Sequence, residues 1–215
     1  MLASGDRVVG VGMSLLSRRR QPAPLRIAAP SGVRLVLHVG CGTRDEQGLH
    51  ERYLGPEWHE VRLDVDPSVE PDVVATITDM SPVSDASVDA VYSHHNIEHV
   101  FAHEVPLAMQ EFFRVLRPGG EVLIGTPDLQ NVARTIASGR LEDTLYRSGA
   151  GPISALDVVY GLRSDVAGGR EYMAHRTGFT RGTLARKLGA AGFVDIEVSR
   201  AVPFALWARA RRPAA

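Results

Sequence analysis

The feature that most constrains this chain is an apolar run that ends in glycines, Val33-Arg34-Leu35-Val36-Leu37-His38-Val39 followed by Gly40-Cys41-Gly42. Aliphatic residues at consecutive rather than alternate positions describe a strand covered on both faces. Glycines directly after it allow a tight turn and a close backbone approach to a ligand. Similar runs recur. Trp58 to Asp64 is a second strand, stopped by Asp66-Pro67. Asp72 to Ile77 reads as a third, Val88 to Ser93 as a fourth and Glu121 to Thr126 as a fifth. Phe193 to Ser199 and Phe204 to Arg209 complete the set.

Helical patterns separate these runs. Residues 46–54 place Leu49, Tyr53 and Leu54 on one face. From Glu104 to Arg117, Val105, Ala108, Met109, Phe112 and Leu116 recur at helical spacing, and Pro118-Gly119-Gly120 follows as a stop. Thr180 can cap a helix running through Ala191, with Gly192 at its end. Strands alternating with helices predict an α/β, doubly wound, mostly parallel sheet. Ligands of such sheets sit outside the carboxyl ends of the strands. That directs attention to residues 40–45, 64–66, 78–80, 93–96 and 126–128.

Composition removes several classes. The 215 residues are 44% hydrophobic and 23% charged, with a formal net charge of −1. A single cysteine, Cys41, excludes an intramolecular disulfide framework and fits a reducing, cytoplasmic setting. No apolar run reaches the ~20 residues of a spanning helix, and the near-zero charge offers no drive toward nucleic acid. Residues 1–32, with Arg18-Arg19-Arg20 and Gln21-Pro22-Ala23-Pro24, read as a loosely ordered lead-in, 33–209 as the domain, and 210–215 as a tail. Residues 127–178 break the strand–helix rhythm and read as an insert or lid that selects the substrate. Four of eight histidines, His94, His95, His99 and His103, fall within ten residues.

Gly40-x-Gly42 after the first strand and Asp64 at the end of the second, 22 residues on, fit a nucleotide-type site in which a carboxylate accepts from ribose hydroxyls. Asp64 alone would equally suit a solvated strand end. The wider set of segments resembles class I S-adenosylmethionine-dependent methyltransferases of the type 11-like group. His38-Val39-Gly40-Cys41-Gly42, Leu63-Asp64-Val65-Asp66-Pro67, Thr78-Asp79-Met80, Ser87-Val88-Asp89-Ala90-Val91 and Phe112-Phe113-Arg114-Val115-Leu116-Arg117-Pro118-Gly119-Gly120 occur in the family's order. Asn96-Ile97-Glu98-His99 resembles the segment after its fourth strand.

The resemblance implies a Rossmann-like seven-stranded sheet with the last strand antiparallel. It implies S-adenosyl-L-methionine as cofactor, bound at His38, Gly40, Cys41, Gly42, Asp64, Val65, Asp79, Met80, Ser93 and His94. Asp64 would hold the ribose, Asp79 the adenine amino group and the Met80 backbone N–H the ring; Ser93 and His94 would lie at the methionine end. His38 stands where the family usually has an acid, and Thr43-Arg44-Asp45 replaces a third glycine. His95, beyond the fourth strand, is the first candidate for a catalytic base, and His175, in Tyr172-Met173-Ala174-His175-Arg176, the second.

His95-x-x-Glu98-His99 also fits a zinc-peptidase pattern. On a helix, His95, His99 and His103 would form a metal-binding stripe. The flanking nucleotide-type motifs outweigh it, so the sequence reading assigns no metal. Asp45 in place of a third dinucleotide-loop glycine argues against an NAD-type oxidoreductase. A catalytically inert cofactor-binding partner or sensor stays open. The expected acceptor is a small molecule or glycan-type metabolite. Arg163, Arg170 and Arg176 are candidates for an anionic acceptor, and Tyr146, Tyr160 and Tyr172 for a pocket wall. The insert could also serve a homodimer interface.

Overall fold

The computed structural model describes residues 31–44 and 48–214. Most of the lead-in, including Arg18 to Pro24, and Asp45 lie outside the described residues. Strands β1 (Arg34–Val39), β2 (Trp58–Asp64), β3 (Val73–Val74), β4 (Val88–His94) and β5 (Leu116–Pro127) pair in parallel as β3-β2-β1-β4-β5. The sheet continues into β9 (Ala205–Arg211) and then β8 (Val194–Ala201). β9 runs antiparallel to both neighbours, which gives seven strands with the last one reversed.

Alternation sorts the side chains of β1. Leu35, Leu37 and Val39 enter the main core, while Val36 joins a smaller cluster on the other face. The main core is covered by α1 (Val105–Val115) and α5 (Arg181–Ala190). From α1, Val105, Ala108, Met109, Phe112 and Val115 are all buried, the i, i+3, i+4, i+7 face that the sequence pattern predicts. Each of the larger ones contributes about 1.5–3 kcal/mol of burial. Thr180 caps α5 reciprocally with Thr183. On the opposite face Tyr53, Tyr92 and Leu123 pack with Trp58 and Trp207.

Three expectations change. The third strand is two residues, not six. The Asp72 carboxylate accepts the Arg62 backbone N–H (2.8 Å), and a turn closed by the Asp79 N–H on the Thr76 carbonyl bends the chain away. The helix predicted to Arg117 ends at Val115, because Leu116 is already extended (ψ 139°) and pairs with Val88. Residues 118–120 therefore lie inside β5 rather than between helix and strand. Of the helix expected at 46–54, a single 3₁₀ turn, Glu51–Tyr53, is present among the described residues.

Residues 128–178 carry more order than their pattern predicts. They hold α2 (Leu129–Ala137), the hairpin β6 (Thr144–Ser148) and β7 (Gly151–Ser154), α3 (Ala155–Tyr160) and α4 (Arg163–Ala167). Val132, Ile153, Ala155 and Val158 form their own core, against which Tyr146 packs. Asp128 caps α2 and binds Arg200 at 2.8 Å, tying this segment to β8. Tyr160 is 62% exposed and is not among the residues lining the cavity described below. No helix of the described residues is long and apolar enough to cross a membrane.

Candidate active site

A cavity of about 390 Å³ opens at the carboxyl ends of β1, β2 and β4, a size suited to a small-molecule ligand. Gly40 and Gly42 follow β1 with φ of 63° and 55°, a backbone that glycine adopts without strain. At Gly40 a side chain would also collide with Asn96, whose Cγ lies 2.4 Å from the Cβ position. The turn is braced from below by Arg62, which is 3% exposed. Its guanidinium donates to the carbonyls of Gly42, Val69 and Glu70.

Asp64 ends β2 with its carboxylate fixed by two backbone donors. The Gly42 N–H reaches Oδ2 and the Asp66 N–H reaches Oδ1, both at 2.9 Å. Oxygens held in this way keep lone pairs free for a ribose diol. Opposite, Thr76, Ile77 and Thr78 line the wall. Asn96 lines it too, and its buried Nδ2 has no hydrogen-bond partner among the described residues. An orphan donor beside a carboxylate and a glycine turn fits S-adenosylmethionine, which offers a carboxylate at one end and ribose hydroxyls in the middle. From the insert, Arg170, Tyr172, Met173 and Arg176 close the cavity, and the Tyr172 hydroxyl donates to Asp66.

Beside the cavity lies a histidine cluster around Glu98, a fully buried carboxylate. Glu98 Oε1 meets His95 Nδ1 at 3.1 Å, and Oε2 accepts from the Thr126 hydroxyl at 3.1 Å. Burial pushes the Glu98 carboxyl up, but the His95 hydrogen bond and the charges of His95, His99 and His175 bring it down to about 2. His95 in turn is raised: burial opposes its charge, and the Glu98 hydrogen bond overcomes that. His95 sits in the left-handed region (φ 47°), an arrangement costing a non-glycine residue roughly 1–2 kcal/mol. Its backbone N–H is held by the Gly125 carbonyl at 3.0 Å. Burial lowers His94 to about 4 and depresses His175 as well.

The residues singled out by sequence divide into two groups. Gly40, Gly42, Asp64, Val65 and His95 line the cavity. His38, Cys41, Asp79, Met80, Ser93, His94 and His175 do not. His38 points to the other face of the sheet, against Tyr92, with Nδ1 2.7 Å from Glu60. Cys41 is buried, and burial pushes its thiol up to about 11. Asp79 is exposed, and its carboxylate accepts from the Ser81 N–H. The Met80 N–H is already taken by Glu111 at 2.6 Å, which leaves it no part in meeting an adenine ring. Ser93 is buried beside Val39. His94 stacks on Trp207 at 5.0 Å. His175 lies behind His99, its Nδ1 2.8 Å from the Val158 carbonyl.

The stripe imagined through His95, His99 and His103 does not form. Only Ile97–His99 makes a 3₁₀ turn, and His103 stacks on Phe101 instead. Sequence reading gave Asp66, Thr76 and Asn96 no role of their own, and weighed Glu98 only within the zinc-peptidase pattern. Asn96 and Glu98 stood within a quoted motif, but nothing in their spacing revealed an orphan amide or a buried charge.

Strand order, reversed last strand and a carboxylate-and-glycine cavity define the Rossmann-like fold of class I S-adenosylmethionine-dependent methyltransferases. A family model described as a methyltransferase domain matches residues 37–124. A probable S-adenosylmethionine-dependent methyltransferase of Mycolicibacterium smegmatis is 32% identical over 117 residues, 52% of this chain and 45% of that protein. The chain thus spans less than half the length of that curated relative. Among solved structures, a SAM-dependent methyltransferase from Methanosarcina mazei superposes with a TM-score of 0.57 at 16% identity, over 86% of this chain and 95% of the other. A Burkholderia thailandensis 1,6-didemethyltoxoflavin-N1-methyltransferase, solved with that compound and S-adenosylhomocysteine, has a TM-score of 0.50 at 17% identity, over 84% and 72%. These likenesses are of fold.

Proposed function

We propose that this protein transfers a methyl group from S-adenosylmethionine to a small-molecule or glycan-type acceptor admitted beneath residues 127–178. The observation that carries the reading is Asp64. Its carboxylate is fixed by the Gly42 and Asp66 N–H groups and shares a cavity with Gly40, Asn96 and His95. The cofactor, when bound, supplies an electrophilic methyl on a sulfonium.

In this reading Asp64 accepts from the ribose hydroxyls, and Thr76 to Thr78 form the adenine wall in place of Asp79 and Met80. The Asn96 amide donates to the methionine carboxylate. His95 Nδ1 is committed to Glu98, so Nε2 is the atom left to hold an acceptor in line with the methyl. Orientation of this kind supplies roughly 7–11 kcal/mol in favourable cases. Tyr172 and Met173 exclude water from above. A small acceptor is supported by a cavity walled by the insert and by a net charge of −1.

Calorimetry with S-adenosylmethionine, S-adenosylhomocysteine and NAD tests the cofactor assignment. Saturable heat is expected with the first two and none with NAD. Silence with the first pair would overturn the proposal. A methyl-acceptor screen separates a transferase from an inert binder, and turnover above background is the expected result.

A further inference from the structure

Glu98, His99 and His175 do not belong to one stretch of chain. Glu98 and His99 sit on the 3₁₀ turn after β4, and His175 comes from the far end of the insert. They meet because the Glu98 carbonyl accepts the backbone N–H groups of Arg176 (2.8 Å) and Thr177 (3.1 Å). One donor atom from each side chain then falls within 4.8 Å of the other two. We propose that these three residues form a binding site for a divalent transition cation of the zinc or iron(II) class.

The surroundings are those a metal site needs. A ligating imidazole ordinarily fixes its other nitrogen on a carbonyl or carboxylate, which sets tautomer and ring angle. His175 places Nδ1 on the Val158 carbonyl at 2.8 Å, leaving Nε2 as the ligand. His99 has Nδ1 3.3 Å from the Ala174 carbonyl and Nε2 3.1 Å from the His95 carbonyl, so either contact can be kept while the other nitrogen binds. Glu98 is oriented by Thr126 and His95, and each oxygen retains a lone pair. Tetrahedral bonds of about 2.0–2.1 Å set ligand atoms about 3.4 Å apart. The cluster, with its donor atoms within 4.8 Å of one another, is to be drawn in to that spacing when the cation binds.

A second observation points to a cation independently. Glu98 is 0% exposed, and no arginine or lysine reaches its carboxylate among the described residues. Its one ionisable hydrogen-bond partner is His95, and a dication beside a buried carboxylate would add a second counter-charge. Two imidazoles and one carboxylate suit borderline metals such as zinc, iron(II) or cobalt(II), whereas magnesium and calcium prefer oxygen-only shells. His99 lines the cavity, so the remaining coordination position faces it and suits an oxygen donor of the acceptor. That last role rests on the methyl-transfer reading; cation binding does not.

The test uses the full chain, stripped with chelator and titrated with cobalt(II) in the absence of S-adenosylmethionine. Ligand-field absorption saturating at one equivalent, reversed by zinc(II), is the expected result. Glu98→Gln and His175→Ala should each weaken binding by at least the ~10–100-fold that loss of a supporting partner costs. His103→Ala should bind as the wild type does. No saturable spectrum from the wild type would overturn the proposal, as would binding unchanged in Glu98→Gln and His175→Ala. If those variants fail to fold, the wild-type spectrum and stoichiometry decide alone. Calorimetry with S-adenosylmethionine on the same preparation reads the cofactor proposal separately, so either can fail without the other.

Discussion

The Tyr172 hydroxyl donates to Asp66 Oδ2 at 2.9 Å and so joins the insert to the loop after β2 across the mouth of the cavity. Asp66 is held low by the Ser68 hydrogen bonds first and by Tyr172 after them, so it stays a charged acceptor. Asp66 and Tyr172 line the same cavity as Asp64, and in the proposed reading their contact closes over the bound cofactor. Tyr172→Phe should therefore speed release of S-adenosylhomocysteine with little change in thermal stability. Stopped-flow displacement measures it, and an unchanged dissociation rate would count against a closing role.

Asp64→Ala removes the acceptor proposed for the ribose diol. Hydrogen bonds to a charged group are worth about 1.5–3 kcal/mol, so S-adenosylmethionine affinity should drop about 10–100-fold. Gly40→Ala should weaken binding too, by a different route. It forces a side chain into φ 63° and against Asn96, and it should also lower the melting temperature. Calorimetry together with thermal denaturation distinguishes lost contact from a distorted turn.

Arg114 holds the loop that carries the Thr76–Thr78 wall. Its guanidinium donates to the carbonyls of Met80 and Val83 and pairs with Glu111 and Asp85, while Glu111 takes the Met80 N–H. Arg114→Ala should cost about 1–3 kcal/mol of stability and lower cofactor affinity although the side chain touches no ligand. Urea denaturation and calorimetry check both halves. Loss of stability with intact affinity would show the wall to be independent of this brace.

Asp157 makes the insert acid-sensitive. Burial raises its carboxyl, but Arg163 and then Ser154 overcome that and hold it at about 2. A folded value below the unfolded one stabilises above about pH 4, and the contribution is lost as pH falls from there toward 2. The amount is on the order of 2 kcal/mol. Asp157→Asn should flatten that part of the stability profile between pH 5 and pH 2, as followed by urea unfolding.

Much of the fold was legible because burial writes itself into periodicity. Consecutive aliphatics marked β1, and the spacing from Val105 to Phe112 marked α1. The site was legible only where backbone geometry demands a residue type, at Gly40, Gly42 and Asp64. What stayed hidden depends on contacts between distant segments. Nothing local to Met80 announces that Glu111 takes its N–H. Nothing near His175 places it on His99, since the insert's path is set by Arg176 and Thr177 binding the Glu98 carbonyl. His38 failed for a different reason: its motif position is right, but alternation along β1 turns its ring to the other face.

That other face carries an optical consequence. The chain has two tryptophans, and both lie there. Trp58 sits under the Arg34 guanidinium at the amino end of the sheet, 4.1 Å away. Trp207 is stacked on His94, whose ring lies 4.3 Å from that of His95. One indole thus lies one ring away from His95, the proposed acceptor-holding residue, while the other is remote, so the protein holds an intrinsic emission probe and its internal reference. Occupancy beside His95 becomes readable as light, without a label.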